Sequence, residues 1–182
     1  MEVFTETKRL ILRKLVLSDL DGMFELDSNP EVHKYLGNNP VKDQLQSIQS
    51  IEDKITQYKD YGIGRWAVID RNNGDFMGWA GLKFVTDNTN KVENYYDLGY
   101  RLIQRCWGKG IASEAASAII KKAFTILNIK EIYAMADCDN IASNKTLKSI
   151  GMKLVEEFEQ DGTKYNWYKI EQADIGFDPI KV

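Results

Sequence analysis

Arg105-Cys-Trp-Gly-Lys-Gly-Ile-Ala-Ser-Glu-Ala115 is the stretch that decides how this 182-residue chain is read. It follows a strand-like run that ends near Gln104. It leads into an apolar-periodic helix reaching about Leu127, with Ala112, Ala115, Ala116, Ile119, Ile120 and Ala123 along it. Glycine at 108 and 110 lets the backbone curl, because a residue without a Cβ tolerates positive φ. Successive N–H groups then converge on one concavity, and the first turn of the helix adds its unpaired donors and the positive end of its dipole. The guest this geometry suits is a phosphate or pyrophosphate.

Upstream, residues 9–13 read as a first strand with Leu10 and Leu12 on one face. Ser18 is placed to cap a helix over about 19–27, and Pro30 to start a short helix to Tyr35. Leu45, Ile48, Ile51, Ile55 and Tyr58 form the stripe of an amphipathic helix that ends near Gly62. Residues 65–70 and 76–85 make a hairpin around Asn72-Asn-Gly74. Gly78 and Gly81 in its return strand predict a bulge or a close approach by another backbone or ligand. A polar loop, expected to be mobile, spans 86–94, and residues 95–103 form the fourth strand. Downstream come a fifth strand (131–137), a short helix (143–150) ended by Gly151, and a hairpin of 153–159 with 163–170. The last dozen residues read as a tail. The order β-α-α-α-β-β-β-α-β-α-β-β predicts one domain of class α/β (α+β), a mixed sheet with helices on both sides.

Composition narrows the function. With 43% apolar and 28% charged residues the chain is an ordinary globular protein, and its formal net charge of −3 lacks the basic footprint of a nucleic-acid binder. No apolar run approaches a membrane span, and the N-terminus lacks the basic-then-apolar layout of a secretory signal. Cys106 and Cys138 form neither a CxxC pair nor a ligand cluster. Reduced thiols, no metal and a cytoplasmic location are expected.

Three phosphate signatures compete for 105–115. The P-loop pattern GxxxxGK[ST] is absent. The dinucleotide pattern GxGxxG has Ser113 at its third glycine and follows four strands instead of one, although Glu131 lies at a fitting distance for a ribose contact. Arg/Gln-x-x-Gly-x-Gly/Ala is met by Arg105, Gly108 and Gly110, and Asn140-x-x-Ser143 follows at a suitable distance.

With these motifs the chain resembles the GNAT N-acetyltransferases, and within them the ribosomal-protein N-terminal (RimJ/RimL-like) acetyltransferases. That subgroup opens with Thr-x-Arg-Leu-x-Leu-Arg, matched by Thr7, Arg9, Leu10, Leu12 and Arg13. It carries acidic-x-Gly-Tyr on its fourth strand, matched by Asp97, Gly99 and Tyr100. The resemblance runs from about residue 7 to 170. It implies a seven-stranded, mostly antiparallel sheet whose fourth and fifth strands splay apart, with acetyl-CoA as co-substrate in the V between them. By the same resemblance, backbone at Leu102 and Ile103 would hold the pantetheine and acetyl carbonyl. The N–H groups from Arg105 through Ile111, with Gly108, Lys109, Gly110 and the following Ala112, would hold the pyrophosphate.

Asn140 would bond the pantetheine arm, and Ser143 would hydrogen-bond or protonate the leaving thiolate. A helix N-cap is the alternative role for Ser143. Asp97 is the candidate base, with Glu93 second; an ordinary surface carboxylate is the alternative. Transfer in this family is direct, which leaves Cys106 no covalent role. His33 is expected to be solvated or capping, and Trp66, Trp79 and Trp107 to be packing or pocket wall. The implied acceptor is a primary amine, foremost a peptide or protein N-terminal α-amine. A small amine such as a polyamine or aminoglycoside is the alternative, and a non-catalytic CoA-binding module is a further one. The molecule is expected to be a monomer or homodimer with no nucleic-acid or membrane partner.

Overall fold

The computed structural model describes residues 2–175; most of the expected C-terminal tail lies outside them. Twelve regular elements follow the expected order, preceded by one strand that the sequence pattern conceals. β1 (Val3–Glu6) and β2 (Leu10–Arg13) pair antiparallel, with Thr5 opposite Leu12 and Glu6 opposite Ile11. The sheet therefore has eight strands instead of seven. Four residues of mixed exposure give no legible alternation, and what holds β1 is long-range: Phe4 stacks on Trp66 with ring centroids 3.6 Å apart.

The remaining elements are α1 (Leu20–Asp27), α2 (Pro30–His33), α3 (Gln44–Tyr61), β3 (Arg65–Asp70), β4 (Phe76–Val85) and β5 (Tyr95–Leu102), then α4 (Ile111–Thr125), β6 (Glu131–Asp137), α5 (Ile141–Ser149), β7 (Lys153–Gln160) and β8 (Thr163–Glu171). The strand order is β1-β2-β3-β4-β5-β6-β8-β7. Every neighbouring pair is antiparallel except β5 and β6, which run parallel and share a single registered pair, Asp97 with Tyr133. The sheet opens there.

Alternation along each strand divides the interior into two cores. On one face Leu98 and Leu102 of β5, with Ala80 and Leu82 of β4, pack against Ala115, Ala116, Ile119 and Ile120 of α4. On the other, Ala67, Ile69 and Trp79 pack against Met23 and Leu26 of α1 and Ile51 of α3. Gly78 changes the phase of β4 between them. It sits at φ 137°, where the register against β3 shifts, so Met77 joins the α4 core while Trp79 joins the other. A Cβ at Gly78 would fall on the Arg101 carbonyl oxygen, and one at Gly81 on that of Gly64, which are the close approaches the sequence predicts.

One helix start and one stripe differ from expectation. A 3-10 turn over Leu17–Asp19 precedes α1, and Asp19, not Ser18, occupies the N-cap position. Asp19 is drawn there by a bidentate Arg13 guanidinium at 2.7 and 2.6 Å. In α3, Ser47, Ile51 and Tyr58 are the buried positions, while Leu45 is largely exposed. Gly62 ends this helix as expected, in the left-handed conformation at φ 66°.

Candidate active site

The glycine stretch folds as a cradle at the end of β5. A 3-10 turn over Gln104–Cys106 uses the Cys106 and Trp107 N–H groups on Ile103 and Gln104 carbonyls at 2.8 and 3.0 Å. Gly108 and Gly110 follow at φ 70° and 72°, and α4 begins at Ile111. The N–H groups of Gly108, Lys109 and Gly110, and those of Ile111, Ala112 and Ser113 in the first turn, have no partner among the described residues. The cradle is thus narrower than expected, starting at Gly108, because the turn already occupies the donors at 106 and 107. Arg105 points away from it, pairing with Glu25 at 3.3 Å. The Lys109 side chain is exposed, while its carbonyl accepts from Arg9 Nη1 at 2.9 Å.

The Thr7-x-Arg9 motif now has a physical role. Thr7 Oγ1 and Arg9 Nε both donate to the Glu114 carboxylate at 2.5 Å, and the Arg9 N–H adds a third bond at 3.1 Å. Glu114 lies in the first turn of α4, where a carboxylate favours the dipole, and these bonds hold its carboxyl below its ordinary range despite burial. The N-terminal segment therefore clamps the start of the cradle helix.

Leu102 lies at the opening between β5 and β6, whereas the backbone of Ile103, expected there too, turns the other way, toward β4. Ile103 donates to the Met77 carbonyl at 2.9 Å, so residues 103 and 77 form a hydrogen-bonded pair of the antiparallel ladder. Its neighbour Leu102 then turns both backbone polar groups to the opposite edge, toward β6. The Leu102 carbonyl is met there by Trp107 Nε1 at 2.8 Å. With no β5–β6 register beyond Asp97 and Tyr133, the Leu102 N–H faces the gap.

The far wall comes from α5. Asn140 is its N-cap, accepting from the Ser143 N–H through Oδ1 at 3.1 Å, so the capping role belongs to Asn140 and not to Ser143. That leaves the Ser143 hydroxyl free for another partner, and it lies 3.0 Å from Tyr100 Oη. Tyr100 also donates to the Ser143 carbonyl at 3.2 Å, and burial raises its phenol so that it keeps its proton at neutral pH. When the phenol donates to Ser143 Oγ, the serine proton is left to point elsewhere. Sequence reasoning missed Asn144, which fixes this arrangement. Its amide donates to the Asp137 and Asn140 carbonyls, both at 2.8 Å, and its Oδ1 accepts from Asn166 and Tyr168 at 2.8 Å each. The only signal was its place beside Ser143.

Asp97 lies on the opposite face of β5, the side covered by α1 and α3. It is held by Arg65, whose Nη2 pairs with Oδ2 and whose Nη1 donates to the Asp97 carbonyl at 2.8 Å and to Gly81 O. Gly99 makes room for this arginine, since a Cβ there would come within 2.8 Å of Nη2. Burial raises the Asp97 carboxyl above its ordinary value, against the pull of Arg65. Glu93 instead accepts from Asn88 in the exposed loop, at 3.1 Å. Cys106 is buried with its thiol pushed up, the reverse of an activated nucleophile. Among the described residues no cluster of three or more His, Cys, Asp or Glu is placed to hold a metal, and no helix is long and apolar enough to cross a membrane.

The same face carries an unexpected polar group. Asp27 of α1, nearly fully buried, accepts from Arg101 Nη1 at 2.7 Å. Lys54 Nζ, Arg65 and Arg101 lie 5.3, 5.5 and 5.3 Å from the centre of the Trp79 ring. His33 is buried, not solvated as expected, and neither ring nitrogen has a partner among the described residues. Burial, chiefly, lowers Lys54 from 10.5 to about 8. A lowered ammonium costs stability while charged, fully below pH 8, and the cost fades as pH rises toward 10.5. Lys54→Met is therefore expected to stabilise the fold at pH 7 by roughly 1–3 kcal/mol. Urea denaturation should show the gain shrinking toward zero at pH 10.

Comparison with known proteins agrees with this geometry. Residues 9–153 match the model of the acetyltransferase (GNAT) domain. An uncharacterised N-acetyltransferase, p20 of Bacillus licheniformis, is 33% identical over 85% of this chain and 86% of its own. Among solved structures, a ribosomal L7/L12 α-N-protein acetyltransferase in complex with coenzyme A superposes with TM-score 0.79 at 19% identity, covering 93% of this chain and 98% of that one. Spermidine N-acetyltransferase from Vibrio cholerae, in complex with CoA and spermine, gives 0.74 at 20% identity, covering 92% and 98%. The chain belongs to the GNAT acetyltransferases and is an acetyl-CoA-dependent N-acetyltransferase.

Proposed function

We propose that the acceptor is a primary α-amine, as at a peptide N-terminus of the ribosomal-protein type. The observation that carries this reading is the pairing of Asp97 with Arg65. The two carboxylates of the acceptor face, Asp27 and Asp97, are each already engaged by a guanidinium, so neither is free to take the proton and its removal falls to water. An α-amine with pKa near 7.7–8.0 loses its proton at pH 7 for about 1 kcal/mol, whereas a lysine-like amine near 10.4 costs about 4.6 kcal/mol. A weak base suffices only for the first. A polyamine would also need acidic lining for its several charges, and Lys54 adds positive charge to this face instead.

In this reading the acetyl-CoA pyrophosphate rests on the donors of Gly108 to Ser113, and the acyl arm lies along the open edge at Leu102. The Asn140 Nδ2 flanks the arm from the start of α5. The α-amine attacks the thioester carbon from the Asp97 side, forming C–N as C–S breaks. The nitrogen gives up its extra proton to water, the thiolate takes a proton from Ser143, which Tyr100 supports, and water returns one to the serine. RimJ/RimL-like specificity is part of the same proposal.

The test is CoA release at pH 7 with three acceptors: an N-terminally free peptide amide, the same peptide N-acetylated but bearing a lysine, and spermidine. The free α-amine should exceed the other two by at least ~10-fold in kcat/KM, given the amine energetics above. Preference for spermidine would reverse the assignment. No release with any of the three acceptors would point to a non-catalytic CoA-binding module instead.

A further inference from the structure

The polar group around Trp79 has an imbalance that the transfer reaction does not use. Three cations, Lys54, Arg65 and Arg101, face two carboxylates, Asp27 and Asp97. Hydrogen-bond donors are in excess as well. Trp79 Nε1 and Arg101 Nε are buried without a partner among the described residues, and the Lys54 ammonium reaches only Ser50, its Oγ at 2.8 Å and carbonyl at 3.2 Å. Buried donors are normally satisfied, so a group of them left over calls for an acceptor-rich ligand. Its position is also telling. Arg101 is registered opposite Trp79 and adjoins Leu102, whose backbone faces the cleft, so the group lies one residue along β5 from the proposed acyl site, on the α1–α3 face.

We infer that this group is a subsite for a carboxylate carried by the acceptor close to its reacting amine, with Lys54 and Arg101 as its ligands. The inference rests on the α-amine reading and sharpens it. The carboxylate is the side chain of an acidic first residue in a peptide, because a free amino acid's own α-carboxylate holds its ammonium well above the range that reading requires. A Lys54 ammonium held at a cost to stability fits a binding role, since sites of function are where a fold tolerates such costs. The charged groups around Lys54 are Asp27 and Arg101, Arg65 from β3, and Asp53 on its own helix. The carboxylate preference should therefore fade as pH is raised through 8, where the ammonium is lost.

Two matched pairs isolate the carboxylate: an Asp-Ala amide against an Asn-Ala amide, and a Glu-Ala amide against a Gln-Ala amide. Wild-type protein with acetyl-CoA should favour the carboxylate member of at least one pair by roughly tenfold in kcat/KM, mainly through KM. Lys54→Gln should reduce that preference to within about twofold. Calorimetric binding of the acetylated members to the CoA-loaded protein gives a readout that needs no turnover. Transfer to α-amines with no preference in either pair, or a preference intact in Lys54→Gln, overturns the subsite and leaves the α-amine reading standing. A carboxylate preference in binding without transfer supports the subsite and removes the α-amine reading. Transfer to spermidine and to none of these four overturns both.

Discussion

Ser143→Ala combined with Tyr100→Phe should lower kcat by roughly 10²–10⁴-fold, the span a positioned general acid contributes. The leaving group here is a thiolate, and the two hydroxyls nearest each other at the far wall are 3.0 Å apart. Either alone leaves a donor behind. In Ser143→Ala the Tyr100 phenol, kept protonated by burial, loses its serine partner and is free to turn toward the gap. Tyr100→Phe leaves the serine hydroxyl but removes the donor that orients it. The single variants should thus each cost less than the double, and their effects should not add. Steady-state CoA release at saturating acceptor is the readout, with acetyl-CoA affinity checked separately by calorimetry. A double variant within threefold of wild type would remove both hydroxyls from the reaction. If Ser143→Ala alone reaches the full loss, Tyr100 is only a packing partner.

Arg65→Met should be the most damaging single change to stability. It leaves Asp97 ionised on a mostly buried face with its guanidinium gone, and breaking such a pair costs about 3–5 kcal/mol. The sign with pH follows from the carboxyl. Burial already raises Asp97 above its ordinary value, and without Arg65 it rises further. The penalty is then present in full above the raised value and is relieved as pH falls through it. Urea unfolding of Arg65→Met should accordingly show its deficit largest at neutral pH and smaller in mild acid. Adding Asp97→Asn should recover much of the loss, because a neutral amide needs less compensation than an unpaired charge. An equal deficit at pH 5 and 7.5, unrelieved by Asp97→Asn, would mean that Arg65 acts through packing on Trp79 and Gly99.

Much of this architecture was legible because local chemistry and tertiary structure agree. Gly108 and Gly110 are needed at positive φ whatever surrounds them, and Gly62 ends α3 for the same reason. Gly78 read as a bulge because no side chain fits against the Arg101 carbonyl. What escaped depends on partners far along the chain. β1 is held by pairing and by Trp66, not by its own pattern. Ser143 looked like a cap because serine suits one, yet the turn after β6 gives that position to Asn140.

Asp97 was singled out correctly as lying on the fourth strand beside Gly99, but its partner Arg65 is 32 residues away and carries no motif. His33, Lys54 and Asp27 were equally silent. Lys54 and Asp27 sit on ordinary-looking helices, and only the docking of α3 and α1 on the sheet brings Lys54 to Trp79 and Asp27 to Arg101.

The cradle itself is best tested by calorimetric titration of acetyl-CoA into wild-type protein and Gly110→Val. Gly110 stands at φ 72°, where a β-branched residue is disfavoured by about 1–2 kcal/mol, and the six unpaired donors converge only with that backbone in place. One-site binding by wild type, weakened roughly 10- to 100-fold in the variant as charge-assisted bonds are lost, is the predicted result. The circular dichroism of the variant should remain that of the folded protein. Undiminished affinity in folded Gly110→Val, or no binding by wild type, would contradict the placement of the cofactor at this turn.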